Sequence, residues 1–213
     1  RLGLPAQGPV VALLPGSRTS EIRFILPEFR QAVTRLAARI PGLVTVLPTV
    51  PHVAEKVCAA TQGWPTPLHI LENEADKYAA FDAATVALAA SGTVTAEIAL
   101  SHTPMVVAYR VGGLTFFLSK FLMNVKFMAL INILLERQVV PEFLQAACTP
   151  DRLAEAVERL FTDADARAAQ MAAMTEFGRL LGEGDDAPSR RAARTLLAFI
   201  AQPEAKKPET KKA

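Results

Sequence analysis

The sequence has 213 residues, 51% hydrophobic and 21% charged, with a formal net charge of +2. That length suits one packed domain and argues against three, and the near-neutral balance excludes a general nucleic-acid binder, which would carry a clustered basic excess. Cys58 and Cys148 sit far apart with no metal-ligand spacing around them, so they read as buried free thiols of a reducing compartment.

Residues 1–9 (RLGLPAQGP) read as a linker, with no start methionine, signal peptide or cleavage pattern. The chain is therefore expected to be the C-terminal part of a longer protein. Residues 10–14 form a short apolar strand that ends in Pro15, Gly16, Ser17 and Arg18, and a helix start follows. Gly16 permits close backbone approach or positive φ. Ser17, Thr19 or Ser20 is expected to cap the helix, and Arg18 sets a planar, always-charged fork at the strand's edge. Residues 28–40 carry Phe29, Ala32, Val33, Leu36, Ala37 and Ile40 near helical spacing, and Pro41-Gly42 stops them. A strand at 43–47 leads into a loop at 48–51 that is placed to end at a site. Helices at 53–61 and 74–81 then flank a strand at 68–71. None of His52, His69 and His102 belongs to a cluster, and each reads as incidental.

The stretch 86–100 (VALAASGTVTAEIAL) organises the rest. A buried strand at 86–90 runs into Ser91, Gly92 and Thr93, then into a helix at 94–100. In that geometry backbone N–H groups converge just past the strand, where a phosphate is stabilised. Ser91 and Thr93 are good N-caps, and their hydroxyls are equally able to donate to phosphate. Glu97 lies one turn deeper on the face of Thr93. A capping box from Thr93 would want its acid at 96, which is alanine. Glu97 is thus available to sugar hydroxyls, although an ordinary capped turn beside a solvated glutamate fits this stretch as well.

A strand at 104–109 completes a β-α alternation that predicts an α/β fold, a doubly wound parallel sheet with helices on both faces. Ligands of such sheets bind outside the C-terminal strand ends. Both glycine turns, at 16 and 92, lie there, which favours the functional reading. Residues 114–135 are the most apolar segment, but Lys120 and Lys126, with Ser119, Asn124 and Asn132, interrupt it. It reads as an amphipathic helix on a membrane or partner, or one buried against the rest of the protein, rather than a span. Thr149 is expected to cap a helix running to 161, with Pro150 at its first position. Helices at 164–181 and 187–200 follow, the last with apolar spacing at 192, 196, 197 and 200. Residues 10–201 read as one domain and 202–213 as a disordered tail.

LLPGSRTSEI (13–22), ASGTVTAEIAL (90–100), PMVVAYR (104–110) and NILLERQVVPEFLQ (132–145) together resemble, in order and spacing, the lipid-A-disaccharide synthase family. The resemblance covers residues 10 to about 199. It implies the glycosyltransferase B fold, with this chain as its C-terminal, Rossmann-like, sugar-nucleotide-binding half and the N-terminal, acceptor-binding half absent. The implied reaction transfers 2,3-diacylglucosamine from UDP, with inversion, to 2,3-diacylglucosamine 1-phosphate. Arg18, by the same resemblance, stabilises the departing diphosphate. Gly16, Ser17, Ser91, Gly92 and Thr93 surround the donor, Glu97 holds its ribose and Asn132 orients it. Tyr109 and Arg110 match the family motif, whether by touching ligand or by shaping the pocket.

No cofactor and no metal are implied. The partners implied are UDP-2,3-diacylglucosamine, its acceptor, the cytoplasmic membrane surface, the missing N-terminal domain and an exchanged homodimer, with no nucleic acid. The location implied is peripheral, on the inner face of the inner membrane. Val-Gly-Gly after Arg110 departs from the family's pattern, and the last helix is expected to cross back to the N-terminal domain. The fragment alone is expected to be inactive. A sugar-nucleotide epimerase of the same architecture and a non-catalytic nucleotide-binding module are the competing readings.

Overall fold

Short runs rich in valine, leucine and alanine alternate with amphipathic segments, and the former pair into a six-stranded parallel sheet. The structure is a computed structural model and describes residues 8–110, 112, 126–184 and 188–200. The strands are β1 (Val10–Leu14), β2 (Val44–Pro48), β3 (Leu68–Leu71), β4 (Val86–Ala90), β5 (Met105–Tyr109) and β6 (Glu142–Leu144). Their spatial order is β3-β2-β1-β4-β5-β6. The chain works outward from β1 to β3, then returns to lay β4 on the other side of β1. This is the Rossmann-like, doubly wound topology, and its reversal point lies between β1 and β4.

The helices are α1 (Thr19–Arg39), α2 (Pro51–Ala60), α3 (Glu74–Ala83), α4 (Val94–Leu100), α5 (Leu130–Leu134), α6 (Pro150–Thr162), α7 (Ala164–Leu181) and α8 (Pro188–Ile200). Every residue of β1, β2 and β4 is buried, as expected of parallel strands covered on both faces. Val11 and Leu13 of β1 pack with apolar residues of α1, α2 and α6. Val10 and Ala12 point the other way and are buried too. Two ion pairs between α1 and α6, Arg35–Asp151 at 2.5 Å and Arg39–Glu158 at 2.6 Å, flank that contact.

Two elements differ from the sequence reading. The helix start expected after Arg18 and the helical spacing read from residue 28 are one continuous helix, running from Thr19 through Pro27 to Arg39. An interior proline removes a backbone hydrogen bond and crowds the preceding turn, at a cost of ~3 kcal/mol. Burial of Ile22, Ile25 and Leu26 on one side of Pro27, and of Phe29, Ala32, Val33 and Leu36 on the other, offsets it. In the apolar 114–135 segment, residues 114–125 lie outside the described residues. Residues 126–129 are not helical, and only Leu130–Leu134 forms α5. The break has a cause: the Glu142 carboxylate accepts from the N–H groups of Met128 and Ala129 and so fixes a helix start there.

The chain divides into two compact units, Arg1–Phe177, which holds the sheet, and Gly178–Ala213, which holds α8. Leu196, Leu197, Phe199 and Ile200 of α8 are exposed. No helix among the described residues is long and apolar enough to cross a membrane.

Phe29 is fully buried where α1 meets the sheet. Phe29→Ala should therefore lower unfolding stability by about 3–5 kcal/mol. In urea titration the midpoint should fall with the slope unchanged, and a loss under ~1 kcal/mol would show that α1 is not a core helix.

Candidate functional site

β1 and β4 are hydrogen-bonded neighbours, with Leu14 opposite Ala89, so the turns that leave them emerge side by side. Between these turns lies a cavity of about 390 Å³. Gly16, Ser17, Arg18 and Glu21 line it from one turn, Ser91, Gly92, Thr93 and Glu97 from the other, and Thr49 and Lys77 from neighbouring elements. Seven of the eight residues singled out from the sequence therefore share one space at the C-terminal edge of the sheet. The eighth, Asn132, does not line it.

Gly16 has φ +106°, a region that disfavours side chains, and a Cβ there would lie 2.2 Å from Glu21 Oε2. The glycine makes room for that carboxylate, which accepts from the backbone N–H groups of Ser17 at 2.9 Å and Arg18 at 3.1 Å. The expected hydroxyl caps are not used. The residue at the cap position is Arg18, which has no acceptor, and Glu21 at the third helical position supplies the cap instead. The hydroxyl of Thr19 accepts from Lys56 at 2.9 Å. His52, read as incidental, donates from Nε2 to the Ser17 carbonyl at 2.7 Å and steadies the same turn. Arg18 bonds Glu21 Oε1 through one nitrogen at 2.8 Å, while its side chain stays 79% exposed. The rest of its donor fork is open to the cavity's mouth.

The second turn is built differently. Ser91 donates its hydroxyl to the Met128 carbonyl at 3.0 Å, so that hydroxyl braces the turn and does not cap α4. Thr93 makes no side-chain cap either. The Gly92 carbonyl accepts from both the backbone N–H and the hydroxyl of Thr95. The N–H groups of Gly92, Thr93 and Val94 have no protein acceptor among the described residues. A Cβ at Gly92 would meet nothing within 4 Å, which leaves its backbone open to a ligand.

Glu97 is not a freely solvated residue. Its Oε2 accepts from Lys77 Nζ at 2.5 Å and from the Tyr78 hydroxyl at 3.5 Å. Burial alone would lower the Lys77 pKa, but Glu97, together with Tyr78 and Glu74, holds the ammonium above its usual value. Lys77 and Thr49 were not singled out from the sequence. Thr49 belongs to the loop expected to end at a site, and its buried hydroxyl has no partner.

Asn132 is fully buried. Its side-chain oxygen accepts from the N–H groups of Val139 and Val140, and its nitrogen donates to the Val140 carbonyl and to Glu142. Asn132 is a bracket that ties α5 to β6, away from the lining of the cavity. Arg110 is ion-paired with Glu28 on α1, and neither it nor Tyr109 lines the cavity. Cys148 packs nearby, where burial and then Glu28 push its thiol up to about 11, so it stays neutral.

A larger recess of about 700 Å³ lies beside α6 and α7, where Val139–Pro141 lead into β6. It is on the side where the strands begin, away from the ligand edge of such sheets. Arg137 and Arg159 on its rim are paired with Glu176 and Asp163. Among the described residues no group of three or more His, Cys, Asp or Glu is placed to hold a metal ion.

The lipid-A-disaccharide synthetase family model matches residues 1–195. Lipid-A-disaccharide synthase from Rhodospirillum centenum is 49% identical over 94% of this chain and 50% of its own length. The chain spans about half the length of the curated relatives it matches. Among solved structures, the calicheamicin glycosyltransferase CalG4 is similar with a TM-score of 0.61 at 17% identity, over 95% of this chain and 46% of that one. UDP-GlcNAc 2-epimerase from Neisseria meningitidis, bound to UDP-GlcNAc, has a TM-score of 0.58 at 13% identity, over 91% of this chain and 45% of that one. At such identities the likeness shows the fold alone, that of glycosyltransferase B proteins.

The two glycines of the site should respond differently to a methyl group. Gly16→Ala forces an unfavourable φ and a clash with Glu21, and should cost on the order of 1–3 kcal/mol. Gly92→Ala meets open space and should stay within ~1 kcal/mol of the wild type in the same urea titration. Equal losses would contradict this picture of the first turn.

Proposed function

The chain belongs to the lipid-A-disaccharide synthase family, and from that premise we propose that it is the sugar-nucleotide-binding half of an inverting glycosyltransferase. The reaction proposed moves 2,3-diacylglucosamine from UDP to 2,3-diacylglucosamine 1-phosphate, giving the lipid A disaccharide 1-phosphate and UDP. One observation carries the reading: both strand-end turns, Arg18 and Glu97 share a single cavity at the reversal point of the sheet. Its volume, about 390 Å³, falls within the range of small-molecule sites.

In this reading an acceptor hydroxyl attacks the anomeric carbon of the donor sugar. The bond from that carbon to the β-phosphate oxygen breaks, and UDP leaves with the electron pair. Negative charge grows on the diphosphate, where the Arg18 fork and the open N–H groups of Gly92, Thr93 and Val94 stabilise it. The N–H groups of Ser17 and Arg18 are occupied by Glu21, so the first turn contributes mainly through the Arg18 side chain. Glu97 accepts hydrogen bonds from the ribose. The base that takes the acceptor's proton is placed in the half of the relatives that this chain does not span.

Both substrates carry acyl chains, so the reading includes a surface that meets lipid, at the inner face of the cytoplasmic membrane. Leu130, Ile133 and Leu134 of α5 are exposed while Ile131 and Asn132 are buried. An outward apolar face at the described end of the 114–135 segment supports that placement. An epimerase has the same fold, and the family match is what favours transfer over epimerisation.

Calorimetric titration of UDP into this chain tests the proposal. Weak binding is expected, and Arg18→Ala and Glu97→Ala should each weaken it about tenfold or more, as for lost hydrogen bonds to charged groups. A folded wild type that does not bind UDP, or variants that bind it equally well, would overturn the assignment of this cavity.

A further inference from the structure

Glu97 is asked to read a ribose, yet its carboxylate is already half engaged. Lys77, on a different helix, reaches across to Oε2 at 2.5 Å, whereas Oε1 has no protein partner among the described residues. We propose that Lys77 is a positioning residue for nucleotide recognition: its ammonium pins one oxygen of Glu97 and leaves the other for the ribose hydroxyls. The proposal rests on the ribose-binding reading of Glu97 given above.

Three observations support it. Lys77 and Glu97 are each partly withdrawn from water, with side chains 22% and 33% exposed, so the pair is less screened than an ordinary surface pair. Lys77 is itself held in place, since Nζ lies 3.8 Å from Glu74 Oε1 and 4.6 Å from the centroid of the Tyr78 ring. Both residues line the cavity, so the pin and the group it holds are at the ligand's position.

The physical benefit is entropic. A glutamate left loose must give up several rotamers when a ligand arrives, whereas one already fixed has lost them on folding.

The test compares UDP with 2′,3′-dideoxyuridine diphosphate by calorimetry on the whole chain, for the wild type, Lys77→Met, Lys77→Arg, Glu97→Gln and the Lys77→Met/Glu97→Gln double variant. Circular dichroism and thermal midpoints confirm that each is folded. The wild type should prefer UDP by about tenfold or more, the scale of hydrogen bonds to a carboxylate. Lys77→Met should reduce that preference to less than about threefold while leaving the dideoxy compound within roughly twofold. Lys77→Arg should restore it, because arginine keeps the charge and the donors. The double variant should lose no more than Glu97→Gln alone, since the two act as one unit.

Equal loss on both nucleotides in Lys77→Met would overturn the proposal, showing a counter-charge to the diphosphate or a structural tie. An unchanged preference would overturn it too. A wild type that binds both alike removes the ribose reading of Glu97, and one that binds neither removes the nucleotide reading itself.

Discussion

The pairing of β1 with β4 is the constraint on which the site depends. Two strands separated by more than seventy residues, with β2, β3 and three helices between them, become parallel neighbours because the chain reverses its direction of travel through the sheet. Parallel strands share an exit edge, so their turns must emerge together. The register Leu14–Ala89 places Gly16 and Gly92 on either side of a space that both can line.

The cavity's own charges are largely settled before any ligand arrives. Glu21 is paired with Arg18 and bonded to the first turn's N–H groups, and Glu97 is paired with Lys77. The two turns thereby acquire different characters although their sequences look alike. In the first, an internal carboxylate sits where an external anion would otherwise bind, and the arginine at the cap position stays largely exposed. In the second, backbone donors stay open because alanine, not an acid, stands at position 96 and Glu97 is turned toward Lys77. A single substitution of position, an acid three residues after the cap in one turn and four in the other, separates a sealed turn from an open one.

Much of this was legible in the sequence, for identifiable reasons. Val10–Leu14 and Val86–Ala90 are uninterrupted apolar runs bounded by turn residues, and both are strands with the expected limits. Gly16 and Gly92 marked the turns, and the order of elements implied that both lie at one edge. What was not legible depends on tertiary contact. Pro27 argues locally against a helix, and only burial along both halves of α1 overrides it. Lys77 has no motif, and its meaning appears once the fold brings it within reach of Glu97 on α4. Asn132 lies within a family block and has a polar side chain, so it reads as a ligand contact. Its four hydrogen bonds to Val139, Val140 and Glu142 come from a chain reversal that spacing alone does not reveal.

Recognition and charge stabilisation place opposite demands on side chains, and on the proposed reading the two turns divide them. A group that identifies a ligand works best when fixed, because ordering it then adds nothing to the cost of binding. Glu97, pinned by Lys77 and seated on a helix packed by Ile98 and Ala99, meets that demand. A group that follows charge onto a departing diphosphate must adjust as bond lengths change, and needs spare donors. Arg18 meets that one: its side chain is 79% exposed, and a single nitrogen is tied to Glu21. Its backbone, by contrast, is held through Glu21 and through the His52 bond to Ser17. On that reading the site is stiff at Glu97, which reads the nucleotide, and adaptable at the tip of the Arg18 guanidinium.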